Sequence, residues 1–182
     1  RPLPVQYAEW LGRFVSGDWG TSISQHRPVT RVLLGAVGPT LLLTGSSLLL
    51  TYLLGIAIGV VQAARERTAL DTALTVVTTG LQSIPSYVLG LGLVLVFAYF
   101  AALGNWPLMI RLPALGSSGI GADLLTPAQR LADRVRHLIL PVTTLSLVGA
   151  AGLARYVRTA TLEALRQPSV RTARAKGLGE AS

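Results

Sequence analysis

Residues 41–61 read LLLTGSSLLLTYLLGIAIGVV, a stretch long and apolar enough to indicate a membrane protein. It lies within a longer run, residues 32–64, that contains no charged side chain over 33 positions. A helix of about 20 apolar residues crosses the hydrocarbon core of a bilayer, which is roughly 30 Å thick. The run therefore predicts a membrane-spanning helix at residues 32–64.

The composition of the 182-residue chain agrees with that class. Charged residues make up only 13% of the chain, apolar residues make up 51%, and the mean hydropathy is +0.54. A soluble domain carries roughly 25% charged residues to hydrate its surface. The composition therefore excludes disordered, collagen-like and ordinary globular proteins. The chain contains no cysteine, which excludes disulfides, thiolate zinc sites and cysteine nucleophiles.

Two further apolar stretches predict two further spans. Residues 72–110 lack charge over 39 positions, and a straight helix of that length would measure about 58 Å, so we place one span at residues 80–102. A third stretch covers residues 137–154. Pro85 and Pro141 are predicted helix kinks, because proline removes one helix hydrogen bond. The predicted fold class is all-α, a polytopic membrane protein with three transmembrane helices.

The charge distribution predicts which side of the membrane each polar segment faces. Three spans place residues 65–71 and 155–182 on one side of the membrane and residues 1–31 and 103–136 on the other. Each side carries eight of the sixteen basic residues, but the first side holds them in a shorter length of chain. The positive-inside rule therefore favours a cytoplasmic location for this denser side. Proline and glycine recur in residues 103–136 and disfavour a helix there, so this segment is predicted to be a loop. The resulting segments are an extracytoplasmic segment (1–31), a cytoplasmic or interfacial connection (65–79), an extracytoplasmic loop (103–136) and a cytoplasmic tail (155–182).

The motifs of common enzyme classes are absent from the sequence. There is no GxxxxGK[ST] phosphate loop, no HExxH zinc motif and no GxSxG nucleophile elbow. His26 and His137 lie 111 positions apart, and each is interpreted as a surface or interfacial residue. The predicted spans contain no Asp, Glu, Lys or Arg, whereas ion-coupled carriers generally keep such a residue inside the membrane. If the chain takes part in solute transport, we expect another component to supply the energy.

Two short segments carry recognisable local patterns. Residues 17–22, GDWGTS, predict a turn in which Asp18 bonds to the backbone two residues on and the glycines adopt positive φ. Residues 170–178, VRTARAKGL, predict a short basic helix that is too short to be stable alone in water. Arg171 near its start also opposes the helix dipole, so we expect an external partner to set its conformation.

Taken in order, several motifs identify the family that the chain resembles. It resembles the inner-membrane permease subunit of peptide-type ABC importers, the dipeptide/oligopeptide/nickel branch of binding-protein-dependent permeases. The most specific motif is the run at 170–178, which is similar to this branch's form of the cytoplasmic EAA loop. The other motifs are Gln6-Tyr7 to Trp10-Leu11, GDWGTS at 17–22, Arg27-Pro28-Val29, Pro39-Thr40-Leu41, SIPSY at 83–87, HLILP at 137–141 and the run from Leu153 to Glu163.

The resemblance implies a role for the basic segment and a set of partners. Arg171 to Gly177 would form the helix that docks in a groove of a separate ATPase. Arg171 and Thr172 stand where the general permease pattern has Glu and Ala, as is common in the peptide branch, and Pro168-Ser169 is a less usual entry to the helix. The full ATPase-coupling segment is Val170, Arg171, Thr172, Ala173, Arg174, Ala175, Lys176, Gly177 and Leu178.

The resemblance further implies the setting in which the chain works. It would be a non-enzymatic subunit in the cytoplasmic membrane of a prokaryote, without catalytic residues, metal or cofactor. Its partners would be ABC ATPase subunits, a second permease subunit, an extracytoplasmic substrate-binding protein and the lipid bilayer, but not nucleic acid. The chain would hold the second to fourth of six spans of one permease domain.

Two readings of other classes compete with the permease. One is a membrane-embedded enzyme, although the spans offer mainly Ser, Thr, Gln82 and Tyr as polar groups. The other is a membrane-anchored protein whose basic tail binds anionic lipid or nucleic acid. The resemblance implies that the transported solute is a peptide or a related small solute such as nickel.

Overall fold

The computed structural model describes residues 1–108, 110–119 and 121–176, apart from the side chains of Arg171, Ala173 and Arg174. Within these residues every regular element is a helix, and the one extended pairing is an isolated bridge between Thr21 and Pro28. The predicted all-α class is confirmed. The chain divides into two compact units, Arg1–Leu42 and a second unit from Leu43 onward.

The first unit begins with a helix that the sequence analysis did not predict, α1 (Leu3–Val15). A ladder of aromatic rings follows one side of it, from Tyr7 through Trp10 and Phe14 to Trp19. Neighbouring ring centroids lie 5.9, 5.4 and 5.6 Å apart. Ring contacts of this kind add to the burial of apolar area, so the ladder holds the end of α1 against the turn that follows.

The turn predicted at residues 17–22 is confirmed. The Gly20 N–H donates to Oδ1 of Asp18 at 3.2 Å, and Gly17 and Gly20 have φ values of +84° and +70°. The indole N–H of Trp19 donates to the Phe14 carbonyl at 3.1 Å. The turn therefore connects α1 to the apolar helix that follows.

That helix, α2, covers Val29–Ala64 and contains the predicted span at residues 32–64. It is one of three helices long and apolar enough to cross a membrane, and the other two are Ser86–Leu103 (α4) and Pro127–Leu165 (α5). Most large apolar side chains of these helices are exposed, among them Leu49 and Leu53 of α2. An apolar exterior of this kind suits contact with lipid.

The span expected at residues 80–102 is divided in two. A separate helix, α3, covers Ala69–Ser83, and Ile84 and Pro85 separate it from α4. Pro85 therefore marks a break between helices and not a bend inside one, because the residue before a proline is disfavoured in helical geometry. Ile84 has φ −88° and ψ 124°, which is extended. The connection expected at residues 65–79 is accordingly helical from Ala69.

The loop expected at residues 103–136 ends earlier than predicted. Helix α5 begins at Pro127, where Thr126 and Gln129 form a capping box. Proline was counted as a breaker, but at the first position of a helix its missing N–H costs nothing. Helix α5 contains the predicted span at 137–154 and continues to Leu165, well into the segment predicted as a tail.

Small residues of α2 pack against α5 in the second unit. A Cβ atom on Gly55 would lie 2.8 Å from the Leu153 Cβ, and one on Gly149 would lie 2.9 Å from the Thr51 hydroxyl. The Ser146 hydroxyl, which is fully buried, donates to the Ser47 carbonyl at 3.1 Å. Small side chains let helix backbones approach closely, as is usual between membrane helices.

Candidate functional site

The predicted coupling segment lies mostly in a short helix, α6 (Pro168–Ala175), two residues after α5 ends. The Thr172 hydroxyl donates to the Pro168 carbonyl at 2.9 Å, and the Lys176 N–H donates to the Thr172 carbonyl at 3.1 Å. Thr172, Ala175 and Lys176 are exposed. Gly177 and Leu178 lie outside the described residues.

The connection between α5 and α6 consists of Arg166 and Gln167. One guanidinium nitrogen of Arg166 donates to Oε1 of Glu66 at 2.7 Å. Glu66 belongs to the connection between α2 and α3, 100 positions earlier in the chain. The structure therefore brings the entry to α6 next to the entry to α3.

A second and more buried ion pair joins the same region. Arg158 of α5 donates from Nε to Oδ1 of Asp71 at 2.8 Å and from Nη2 to Oδ2 at 2.7 Å. Asp71 lies in the first turn of α3 and is only 4% exposed. Parallel hydrogen bonds from a planar guanidinium fix both the distance and the relative orientation of the two groups. The pair therefore holds the start of α3 against α5.

One backbone N–H also bonds to the Asp71 carboxylate, and a side-chain cap holds the turn around it. The Arg67 N–H donates to Oδ2 at 3.1 Å, and the Asp71 N–H donates to the Thr68 hydroxyl, which caps α3. The bonds from Arg158 hold the pKa of Asp71 below its ordinary value of 3.8, and the Arg67 N–H adds to this lowering. Burial acts in the opposite direction, since it disfavours the charged form. The carboxylate therefore stays ionised at neutral pH.

We refer to Glu66, Asp71, Arg158 and Arg166 together as the junction. Sequence reasoning did not find it, because its partners lie 87 and 100 positions apart. A local signal existed at each end. Asp71 is the last charge before the uncharged residues 72–110, and Arg158 follows shortly after the apolar residues 137–154.

A cavity of about 530 Å³ lies between α4 and α5 in the second unit. Pro141 lines it from within α5, where it interrupts the backbone hydrogen-bond pattern. Pro85 directly precedes the part of α4 that lines it. The lining is mainly apolar and consists of Ser86, Tyr87, Gly90, Leu91 and Val94 of α4, residues 113–116, and His137, Leu140, Pro141, Thr144 and Leu145 of α5.

His137 is buried in this lining, which corrects its interpretation as a surface or interfacial residue. It is 9% exposed, and its Nδ1 lies 2.8 Å from the Asp133 carbonyl oxygen, which can only accept. Oδ2 of Asp133 accepts the Gly119 N–H at 2.7 Å. Asp133 therefore ties the loop before α5 to the first turns of that helix. His26, by contrast, is exposed.

No cluster of three or more His, Cys, Asp or Glu side chains among the described residues could hold a metal ion. Two of the ion pairs among the described residues, Asp71–Arg158 and Glu66–Arg166, lie together at the junction. The arrangement presents a positioned basic helix and a mainly apolar cavity.

Comparisons with known proteins give a consistent set of relatives. The model of a family described as "Binding-protein-dependent transport system inner membrane component" matches residues 55–182. This match includes α3 to α6, the junction and the cavity.

Individual relatives match over nearly the whole chain. The oligopeptide transport system permease protein AppB of Bacillus subtilis is 37% identical over 98% of this chain and 53% of its own length. The oligopeptide transport system permease protein OppB of Mycobacterium tuberculosis is 36% identical over 98% of this chain and 53% of its own. The glutathione transport system permease protein GsiC of Salmonella choleraesuis is 34% identical over 99% of this chain and 51% of its own. The chain thus spans about half the length of the curated relatives it matches.

Proposed function

Because the chain belongs to the family of binding-protein-dependent transport system inner membrane components, we propose that it forms part of the permease subunit of an ATP-driven peptide importer. The observation that carries the proposal is the family match over residues 55–182, which ends in the basic segment expected to contact an ATPase. The resemblance seen in the sequence is confirmed at the level of the family.

The solute class comes from the relatives. The permeases of Bacillus subtilis and Mycobacterium tuberculosis are named for oligopeptides, and that of Salmonella choleraesuis is named for glutathione, itself a short peptide. We assign short peptides to this chain on that basis. The names do not favour the membrane-embedded enzyme or the lipid- or nucleic-acid-binding tail.

The ATPase partner is supported by the structure of the basic segment. Helix α6 has eight residues and exposes Thr172 and Ala175. A helix of this length is not stable alone in water, and a docking groove would supply the missing contacts. We place α6 and the connection between α2 and α3 on the cytoplasmic side, and residues 103–126 on the opposite side, where the substrate-binding protein delivers the peptide.

Transport then follows an alternating-access scheme. ATP-driven closure of two ATPase subunits displaces α6, and the membrane helices carry the displacement to the path of the solute. A second permease subunit and the remaining spans of a six-span permease domain complete the path. Pro85 and Pro141 shape the cavity between α4 and α5 along this path, and the ATPase performs the hydrolysis.

Cysteine crosslinking of the complete permease tests the assignment, since this chain has no natural cysteine. One variant carries Ala175→Cys in α6, and the control carries Ser118→Cys in the loop before α5. Both positions are exposed. We expect crosslinks from position 175, but not from 118, to cysteines in the groove of the ATPase. Crosslinking from 118 alone would invert the topology, and crosslinking from neither position would favour a tail that lies on lipid.

A further inference from the structure

The junction has a role beyond holding two helices together. We propose that its two ion pairs make the start of α3 and the entry to α6 move as one body, so that a displacement of α6 by the ATPase reaches α4 and the cavity through α3. This role rests on the proposed function, since it requires an ATPase that acts on α6.

The Asp71–Arg158 pair supplies the rigid part of this link. Its two parallel bonds, at 2.8 and 2.7 Å, restrain rotation as well as distance, and Asp71 is almost fully buried. Water is therefore kept from the carboxylate, and the attraction is screened far less than in a surface pair. Because Asp71 lies in the first turn of α3, the pair fixes the position at which that helix begins.

The Glu66–Arg166 pair extends the link to the coupling segment itself. Arg166 is the first of the two residues between α5 and α6, so any movement of α6 is transmitted directly to it. Its guanidinium bonds to Glu66, five positions before Asp71. The other bonds that hold this connection are local, from the N–H groups of Arg166 and Gln167 to carbonyls of the last turn of α5. Glu66 is therefore the described side chain that ties the entry to α6 to another part of the fold.

The C-terminal end of α3 lies next to the cavity, so a displacement of α3 can reach the cavity lining. Helix α3 ends at Ser83, and only Ile84 and Pro85 separate it from Ser86 and Tyr87, which line the cavity. Helix α3 is anchored at Asp71 and ends at the Ile84–Pro85 connection. When α3 moves, it therefore displaces the first turn of α4. Consecutive Cα atoms are about 3.8 Å apart, so a connection of only two residues limits how far α3 can shift without moving the start of α4.

Paired spin labels in the complete permease, reconstituted with its ATPases and binding protein, test this role. We would label Leu70→Cys, at the start of α3, and Gln167→Cys, at the entry to α6, because both side chains are exposed and neither lies in the coupling segment or the junction. The distance between them is measured without nucleotide and with ATP and vanadate. In the otherwise unaltered permease we expect one narrow distribution that is the same in both states.

Three variants separate the link from a merely structural role. Asp71→Asn removes the buried pair. Glu66→Gln removes the exposed one and leaves the core untouched, so it remains informative if Asp71→Asn does not fold. Arg65→Gln is the matched control, since Arg65 lies in the same connection, its side chain is exposed, and no ion pair among the described residues joins it to the junction.

We expect the two junction variants to broaden the distance distribution about twofold and to lower tri-alanine uptake per ATP hydrolysed by about threefold or more. Arg65→Gln should behave as the unaltered permease. Unaltered distances and uptake ratios in Glu66→Gln and Asp71→Asn would overturn the proposal, as would an equal effect of Arg65→Gln. If the unaltered permease does not co-purify with its ATPases, both the proposed function and this role are contradicted. If it does co-purify but the junction variants keep the narrow distance distribution, this role alone is contradicted.

Discussion

Gly59 of α2 lies so close to Ala154 of α5 that a Cβ atom added to the glycine would sit 2.6 Å from the Ala154 carbonyl oxygen. The same atom would lie 2.7 Å from the Cβ of Val157. Backbone oxygen cannot rotate away as a flexible side chain can, so the two helices must separate to admit even one methyl group. Gly55 and Gly59, four positions apart on α2, therefore both lie in its contact with α5.

Gly59→Ala should destabilise the permease by about 1–3 kcal/mol, the usual cost of overpacking a close contact. The matched control is Gly45→Ala in the same helix, where no described atom lies within 4 Å of the added Cβ. Alanine is favoured over glycine inside a helix, so the control should be neutral or stabilising by about 0.5–1 kcal/mol. Thermal unfolding in detergent, followed by tryptophan fluorescence, compares the two. Equal midpoints for both variants would contradict the close contact.

The Asp71–Arg158 pair predicts a definite acid dependence of stability. Since the pKa of Asp71 in the folded protein is lowered from 3.8, the pair contributes fully above that ordinary value and loses its contribution as pH falls through the lowered pKa. The unfolding midpoint of the natural chain should therefore show no loss from this pair between pH 7 and pH 5. The unfolding midpoint of Asp71→Asn should lie below that of the natural chain at neutral pH. The difference between the two midpoints should become smaller in strong acid. A difference that is constant across pH would contradict the ion pair as the cause.

Substituting Pro141 should alter transport more than assembly. Alanine at this position restores an N–H that can bond to the His137 carbonyl, and we expect the regained bond to remove the kink predicted at Pro141. We expect Pro141→Ala to lower tri-alanine uptake by about threefold or more while the ATPase still co-purifies. Pro127→Ala is the control, because the first position of a helix has no such bond to regain. Equal uptake in both variants would remove Pro141 from the path of the solute.

Charge reversal in the basic segment should weaken docking of the ATPase. Arg171→Glu and Arg174→Glu reverse two of the cations that the family resemblance places in the coupling segment. Arg134→Glu is the matched control, since Arg134 is an exposed arginine near the other end of α5. Co-purification with the ATPase should fall for the first two variants, more at low than at high salt, because surface charge is screened by ions. Retention at the level of the control would argue against a charge role.

The apolar runs were enough to predict the helical membrane class and three helices long and apolar enough to cross a bilayer, because a crossing demands about 20 apolar residues. The turn at Asp18 was also predictable, since it depends on residues two positions apart. Helix boundaries near proline were not. Pro85 is predicted to bend one helix but separates two, and Pro127 lies within the loop predicted at 103–136 but begins α5.

Composition, charge density and short motifs thus establish the helical membrane class, and motif order establishes the family, since all of these are properties of local sequence. The partners of Asp71 and Glu66 depend on which helices lie side by side. So do the burial of His137 and the use of Gly59 as a contact. No local pattern records that choice, because the paired residues are brought together only when α2, α3 and α5 pack.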